Sequence, residues 1–224
     1  MKQQKNNSII TKRHCKRKFL TRSVPKDTIN TVLSNAGHAG SSKNSQPWKV
    51  AIVCSQTKEA LVNKMCSKFD NNEFEASDYT YMTDPMTHEY KERARECGYA
   101  LYQLKGISKE NKTETTAHFR ENYTFFNAPL ALIFHLHEDA ERGNFLDMGL
   151  FMQNVMLGLV EFGLGSCPQF SICSYSTTIK KHLNIPMNRI IVCGMAVGYA
   201  DESAPVNSFI PNRIPIEDYT KWYE

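Results

Sequence analysis

The run Arg13-His14-Cys15-Lys16-Arg17-Lys18-Phe19 sets two arginines four residues apart, with a small polarisable thiol between them. In an extended or irregular backbone such a run can grip a phosphate through forked, charge-assisted hydrogen bonds. A solvated basic turn is the plainer reading of the same residues. The second set, Ser41-Ser42-Lys43-Asn44-Ser45-Gln46-Pro47-Trp48, brings small hydroxyls and two carboxamides that can meet the hydrogen-bonding edge of a heterocycle. Pro47 stiffens the turn that presents them. Alone this is an ordinary loop; beside the basic run upstream it becomes a candidate site.

Other reactive types lead less far. His135 and His137 lie two apart on one strand face and are followed by Glu138 and Asp139, but no third ligand stands at metal spacing, so no metal is expected. Gly163-Leu164-Gly165-Ser166 is not a dinucleotide fingerprint, because no helix-opening glycine follows and a proline does. Cys167 and Cys173 have no base placed beside them and read as core residues.

The seven cysteines are odd in number and form no CxxC pair, and the polar start MKQQKNNSII lacks the apolar stretch of a secretory leader. Reduced thiols in a cytoplasm follow. The 27 basic and 23 acidic residues are spread along the chain, and a net charge of +4 favours anionic small molecules over nucleic acid. The most apolar stretch, Phe145 to Phe162, is interrupted by Asp147, Gln153, Asn154 and Glu161, so it reads as a buried helix and not a membrane span.

These residues need positioning elements, and the patterning supplies them. Pro25 opens a helix whose Ile29, Val32, Leu33 and Ala36 share a face before Gly37 and Gly40. Trp48, Val50 and Ile52 alternate along a strand, after which Thr57 caps a helix carrying Leu61, Met65 and Phe69. Residues from about 70 to 127 change character and read as an irregular helical insertion. Pro129 to Leu136 has strand length, the Phe145 to Phe162 helix ends at Gly163, and Arg189 to Val197 reads as a strand buried on both faces. The last stretch, Asp201 to Glu224, looks extended. No repeat or linker divides the chain, which reads as a single domain of α+β or mixed α/β type.

Three motifs now resemble one family. RHCKRKF is similar to the RxSxRxF start of nitroreductases, SSKNSQPW to their SSxNxQPW loop, and GMAVGYADESAPVNSFIPNRIPIEDY to their closing strand and phosphate-binding arginine. The segments YKERARECGYALYQLKGI, NYTFFNAP and GLGSCPQF resemble the nitrobenzoate-reductase-like branch. Departures from the family pattern are Cys15 for serine, Gly40 for a frequent proline, and Pro211 where some members carry lysine.

The resemblance implies an α+β nitroreductase-like fold, a central mostly antiparallel sheet wrapped by helices, with the C-terminal tail exchanged across a homodimer. It implies FMN held at its phosphate by Arg13 and Arg213, within the Arg13, His14, Cys15 run, and Arg17 near the pyrimidine edge, where a cation favours the anionic reduced ring. Ser41, Ser42 and Asn44 approach the flavin from the partner subunit. Pro168, Gln169 and Phe170 lie by the reactive N5, and Asn122 is a further candidate for the flavin edge. NADH or NADPH gives hydride to the flavin, leaves, and an electron-poor acceptor such as a nitroaromatic or quinone takes its place. No protein acid or base is required. The insertion shapes the acceptor pocket, with Tyr79, Tyr81, Tyr90, Tyr99, Tyr102 and Phe119 available as walls. Reductive dehalogenation, enoate reduction, flavin fragmentation and non-enzymatic flavin binding are the alternatives compatible with the same cofactor residues.

Overall fold

The computed structural model describes residues 8–82 and 84–224, so most of the polar start lies outside the described residues. Its centre is a sheet of four strands, β1 (Lys49–Cys54), β2 (Leu130–His137), β3 (Gly165–Gln169) and β4 (Arg189–Gly198). They run in the order β1-β2-β4-β3, and every pairing is antiparallel. Around them lie α1 (Ile9–Lys12), α2 (Lys26–Ala36), α3 (Ser55–Asp70), α4 (His88–Lys105), α5 (Lys112–Arg120), α6 (Arg142–Glu161) and α7 (Ser176–Leu183).

The period-2 alternation of the strands divides the core into two layers. On one face, Val53, Ala131, Ile133, Ile191 and Ala196 pack with Leu61 and Met65 of α3 and Ile179 of α7. On the other, Leu132, Phe134, Met195 and Val197 pack with Ile29 and Val32 of α2 and Met148, Phe151, Val155 and Leu159 of α6. Both strands expected on apolar runs, β2 and β4, sit centrally and are buried almost throughout.

Several boundaries differ from the sequence reading. α3 starts at Ser55, directly from β1, with Cys54 and not Thr57 at the N-cap position. α6 starts a turn early because Asn144 Oδ1 accepts the Glu141 amide at 3.0 Å. Pro25 occupies the N-cap of α2, just before the first helical residue. Strand β3 had no signal, since Gly-Ser-Cys-Pro-Gln contains no β-branched residue and includes a proline. Its place at the sheet edge is what tolerates Pro168. The chain reaches that edge through Gly163, whose φ of 68° ends α6.

The 70–127 segment resolves into α4 and α5, preceded by a stretch pinned across α7 and β4. α6 buries one side only: Leu146 and Leu150, four residues apart and so on one face, are 73% and 54% exposed. Among the described residues no helix is long and apolar enough to cross a membrane.

Candidate functional site

The basic run docks on the free side of the edge strand. Cys15 bridges Ser166 in parallel fashion and the Lys16 amide donates to Ser166 O at 3.0 Å. Gly165 permits this approach, since a Cβ there would stand 2.7 Å from Lys16 Cγ. Phe19 then bridges Ala200 just beyond β4, so the run is held at both ends. Arg13, His14, Cys15 and Arg17 are half-buried along this edge, next to the end of β3 that carries Pro168 and Gln169.

The electrostatics of the run are distinctive at Cys15. A hydrogen bond with the Cys167 thiol lowers its pKa to about 6 against the opposing effect of burial, and Arg17 and Arg13 act in the same direction. Cys167 is pushed the other way, by that same hydrogen bond and by burial. The thiol at position 15 is therefore an anion near neutral pH, flanked by two guanidiniums.

His14 directs both ring nitrogens at carbonyls, Nδ1 to Lys12 O at 3.0 Å and Nε2 to Asn207 O at 2.9 Å. Asn122 and Gln169 meet directly, Gln169 Nε2 donating to Asn122 O at 2.7 Å. Gln169 Oε1 is buried without a donor among the described residues. Thus Arg13, His14, Cys15, Arg17, Pro168 and Gln169 gather around one strand edge, with Asn122 tied to it.

The Ser41–Trp48 loop belongs to a different neighbourhood, against α6. Trp48 stacks on Phe151 with ring centroids 4.8 Å apart, and the Ser42 amide donates to the buried Asp147 Oδ1 at 3.3 Å. Lys43, Asn44 and Gln46 all hold positive φ, at 52°, 57° and 45°. Such conformations are costly for residues with a Cβ and persist where surrounding structure holds them. Ser42 and Asn44 are left exposed and Ser41 half-exposed. Arg213 is also separate: it lies exposed in the tail and donates to Pro211 O and Asn212 O at 2.9 and 3.0 Å.

A cavity of about 700 Å³ opens on the α6 side of the same strand end, lined by Pro168 and Phe170 together with Met148, Met152, Phe145, Tyr79 and Tyr81. Arg142 and Glu141 also line it. Of the six aromatic residues expected from the insertion, Tyr79 and Tyr81 are the ones in this wall; Tyr90 and Phe119 are exposed elsewhere, and Tyr102 packs edge-on to His118. His135, weighed above as a metal ligand, accepts from Arg189 Nε at 3.0 Å, and burial with that cation lowers its pKa to about 4.

A family model, that of the Nitroreductase family, matches residues 10–199. The chain belongs to the nitroreductase family. It is 32% identical to a 4-nitrobenzoate reductase from Pseudomonas putida over 94% of this chain and 91% of that one. The FMN- and NADPH-dependent nitroreductase NfnB from Sphigopyxis sp. strain HMH superposes with a TM-score of 0.92 at 30% identity, covering 96% of this chain and 97% of that chain. NfnB from Mycobacterium smegmatis, solved in complex with NADPH, gives the same TM-score at 28% identity, with 96% of each chain covered.

Two features around the basic run escaped sequence reasoning. Asn207 is 1% exposed and fastens the basic run to the root of the tail; nothing in PVNS marks it, because its partners lie 189 and 190 residues away. His118 is the other: burial and then Lys105, at 3.1 Å, lower its pKa against the opposing Glu121, and Arg17 adds to the lowering. Lys105 also pairs with Glu121.

Proposed function

We propose that this nitroreductase is an FMN-dependent NAD(P)H oxidoreductase that reduces nitroaromatics, quinones or similar electron-poor acceptors, working as a cytoplasmic homodimer. The observation that carries the reading is the docking of the Arg13–Arg17 run on the edge of β3, beside Pro168, Gln169 and Phe170.

The donor set fits the cofactor. Arg13 offers planar donors to a phosphate, and Arg17, four residues on, offers a cation to the pyrimidine edge, where the negative charge of the reduced ring collects. Cys15 replaces the family's serine with a weaker partner, and as an anion it does not attract phosphate, so the arginines and the amides of the run do the holding. Gln169 Oε1, buried and without a donor, is the kind of acceptor that a flavin N–H satisfies. Phe170 has a backbone N–H to offer at N5, which Pro168 lacks. Bound FMN supplies the two-electron carrier between nicotinamide and acceptor. The chain's own part is to bind, to orient the ring at the strand edge and to provide the apolar cavity beside it. Arg213 assists at the phosphate, and Ser41, Ser42 and Asn44 serve the partner's flavin.

Three features support the dimer. Leu146 and Leu150 leave α6 with an uncovered apolar face. Trp222 and Tyr223 stand 88% and 85% exposed at the end of the tail, where Ile216 and Tyr219 are exposed as well. The strained Ser41–Trp48 loop presents Ser42 and Asn44 outward. Seven free thiols support a reducing compartment.

The test is steady-state turnover with 4-nitrobenzoate, nitrobenzene and a benzoquinone as acceptors. Acceptor-dependent NAD(P)H oxidation with loss of the nitro compound is expected. Oxidation that no acceptor accelerates, in protein loaded with FMN, contradicts the reading.

A further inference from the structure

The cavity beside β3 owes its aromatic wall to a short strap, residues 75–81, that crosses α7 and β4. Two carboxylates fasten it. Glu75 accepts from the Thr178 amide at 3.0 Å and the Thr178 hydroxyl at 2.5 Å, with Lys68 at 3.3 Å. Asp78 is held from both of its oxygens. Its Oδ1 accepts from Lys180 Nζ at 2.8 Å and Ser176 Oγ at 3.2 Å, and its Oδ2 accepts the Ile191 amide at 2.9 Å.

The next residue repeats the attachment one step along the strand: the Tyr79 hydroxyl donates to Val192 O at 2.6 Å. Asp78 and Tyr79 therefore meet Ile191 and Val192 in register. From that fixed point Tyr79 packs on Phe145 with centroids 4.9 Å apart, and Tyr81 stacks on Phe170 at 4.1 Å and 16°. Val192, Phe145 and Phe170 all line the cavity. Among the described residues Lys180 pairs with no other acid; its remaining partners are the carbonyls of Arg189 at 3.1 Å and Met187 at 3.4 Å. Removing the charge of Asp78 leaves a buried cation without its anion.

We propose that Asp78 is a positioning residue for the acceptor pocket: through Lys180 and the Ile191 amide it fixes the strap on β4, and so sets the Tyr79 and Tyr81 wall against which a flat aromatic acceptor is held. The inference rests on the acceptor reading given above. Asp78 itself is not among the residues that line the cavity, so its effect is on acceptor affinity.

Asp78→Asn keeps the shape and removes the charge; Tyr79→Phe keeps the ring and removes the hydroxyl's bonds to Val192 and Cys173. Each loosens the strap that carries the wall, so KM for nitrobenzene should rise about tenfold, about 1.4 kcal/mol of acceptor binding. The turnover number at saturating acceptor, the FMN dissociation constant and the anaerobic bleaching rate at saturating NAD(P)H should all stay within about twofold. Unchanged KM in both variants overturns the proposal, as does a parallel loss of FMN binding, bleaching and acceptor affinity, which marks a purely structural role. If Asp78→Asn does not fold, Ser176→Ala, which removes one donor to the same carboxylate, decides in its place. Should the wild type hold FMN yet turn over no nitroaromatic, the acceptor reading fails by itself. Calorimetric binding of benzoate, which the flavin does not reduce, then still tests the wall: weaker binding in the variants supports it and equal binding overturns it.

Discussion

The carboxamide of Asn207 closes on the backbone of Lys18 from both sides, Oδ1 accepting its amide at 3.2 Å and Nδ2 donating to its carbonyl at 2.7 Å. The same side chain accepts the Arg17 amide at 2.7 Å and donates to Asp201 O at 2.9 Å, and its own carbonyl receives Lys16 Nζ and faces His14. One buried residue thus sets the backbone from which Arg17 projects. Asn207→Ala strands several of these groups, and a loss of about 2–4 kcal/mol in stability is expected. In urea titrations the midpoint should fall, and FMN should bind more weakly in the folded fraction. A midpoint matching the wild type would show that water replaces the carboxamide.

Cys15 should be the fast thiol. Its lowered pKa gives an alkylation rate that rises through about pH 6 and is flat by pH 8, whereas an ordinary thiol is still rising near 8.5. Mass spectrometry after brief iodoacetamide treatment should find Cys15 modified and the buried Cys167, Cys173 and Cys193 untouched. Bound FMN should protect it; equal labelling with and without FMN would remove Cys15 from the site.

Acid stability should depend on His135. Its folded pKa, lowered by burial and Arg189 to about 4, lies below the ordinary imidazole value of about 6.5. The unfolded chain therefore takes up a proton that the folded chain refuses, so stability is full above pH 6.5 and falls as pH drops toward 4. His135→Gln, which still offers Arg189 an acceptor, should flatten the melting temperature across that window relative to wild type. Equal slopes would place the acid sensitivity on other groups.

The uncovered face of α6 predicts association. Sedimentation at low micromolar concentration should give about twice 25.6 kDa. Leu150→Glu should yield a monomer with much weaker FMN binding. A monomer that keeps its flavin would refute a site shared between subunits.

What the sequence disclosed depended on the range of the interaction. β2, β4, α2 and α6 are legible because their own residues carry the period of the element, and RHCKRKF and SSKNSQPW because local residue types define them. β3 is illegible: an edge strand of Gly, Ser, Cys, Pro and Gln owes its conformation to β4. So is the part played by Asn207 and Asp78, whose carboxamide and carboxylate are ordinary until folding brings Lys18 and Ile191 to them. Tyr79 and Tyr81 stood among six candidate wall residues, and the strap's attachment separates them from the other four.

The arginines can be tested through the phosphate alone. If Arg13 and Arg213 each make a charge-assisted contact worth roughly 1.5–3 kcal/mol, either Ala substitution should weaken FMN about ten- to a hundredfold and leave riboflavin nearly unchanged. Excess FMN should restore activity. An Arg213→Ala dimer that excess FMN does not rescue would assign that residue to the nicotinamide or to the fold.

The most direct measurement is the visible spectrum of the purified protein reconstituted with FMN, recorded anaerobically before and after NADPH or NADH. The account predicts a bound flavin that is yellow, is bleached by the dinucleotide, and regains its colour when a nitroaromatic is added. A flavin that stays oxidised with both dinucleotides, or a protein that retains no flavin at all, would contradict it.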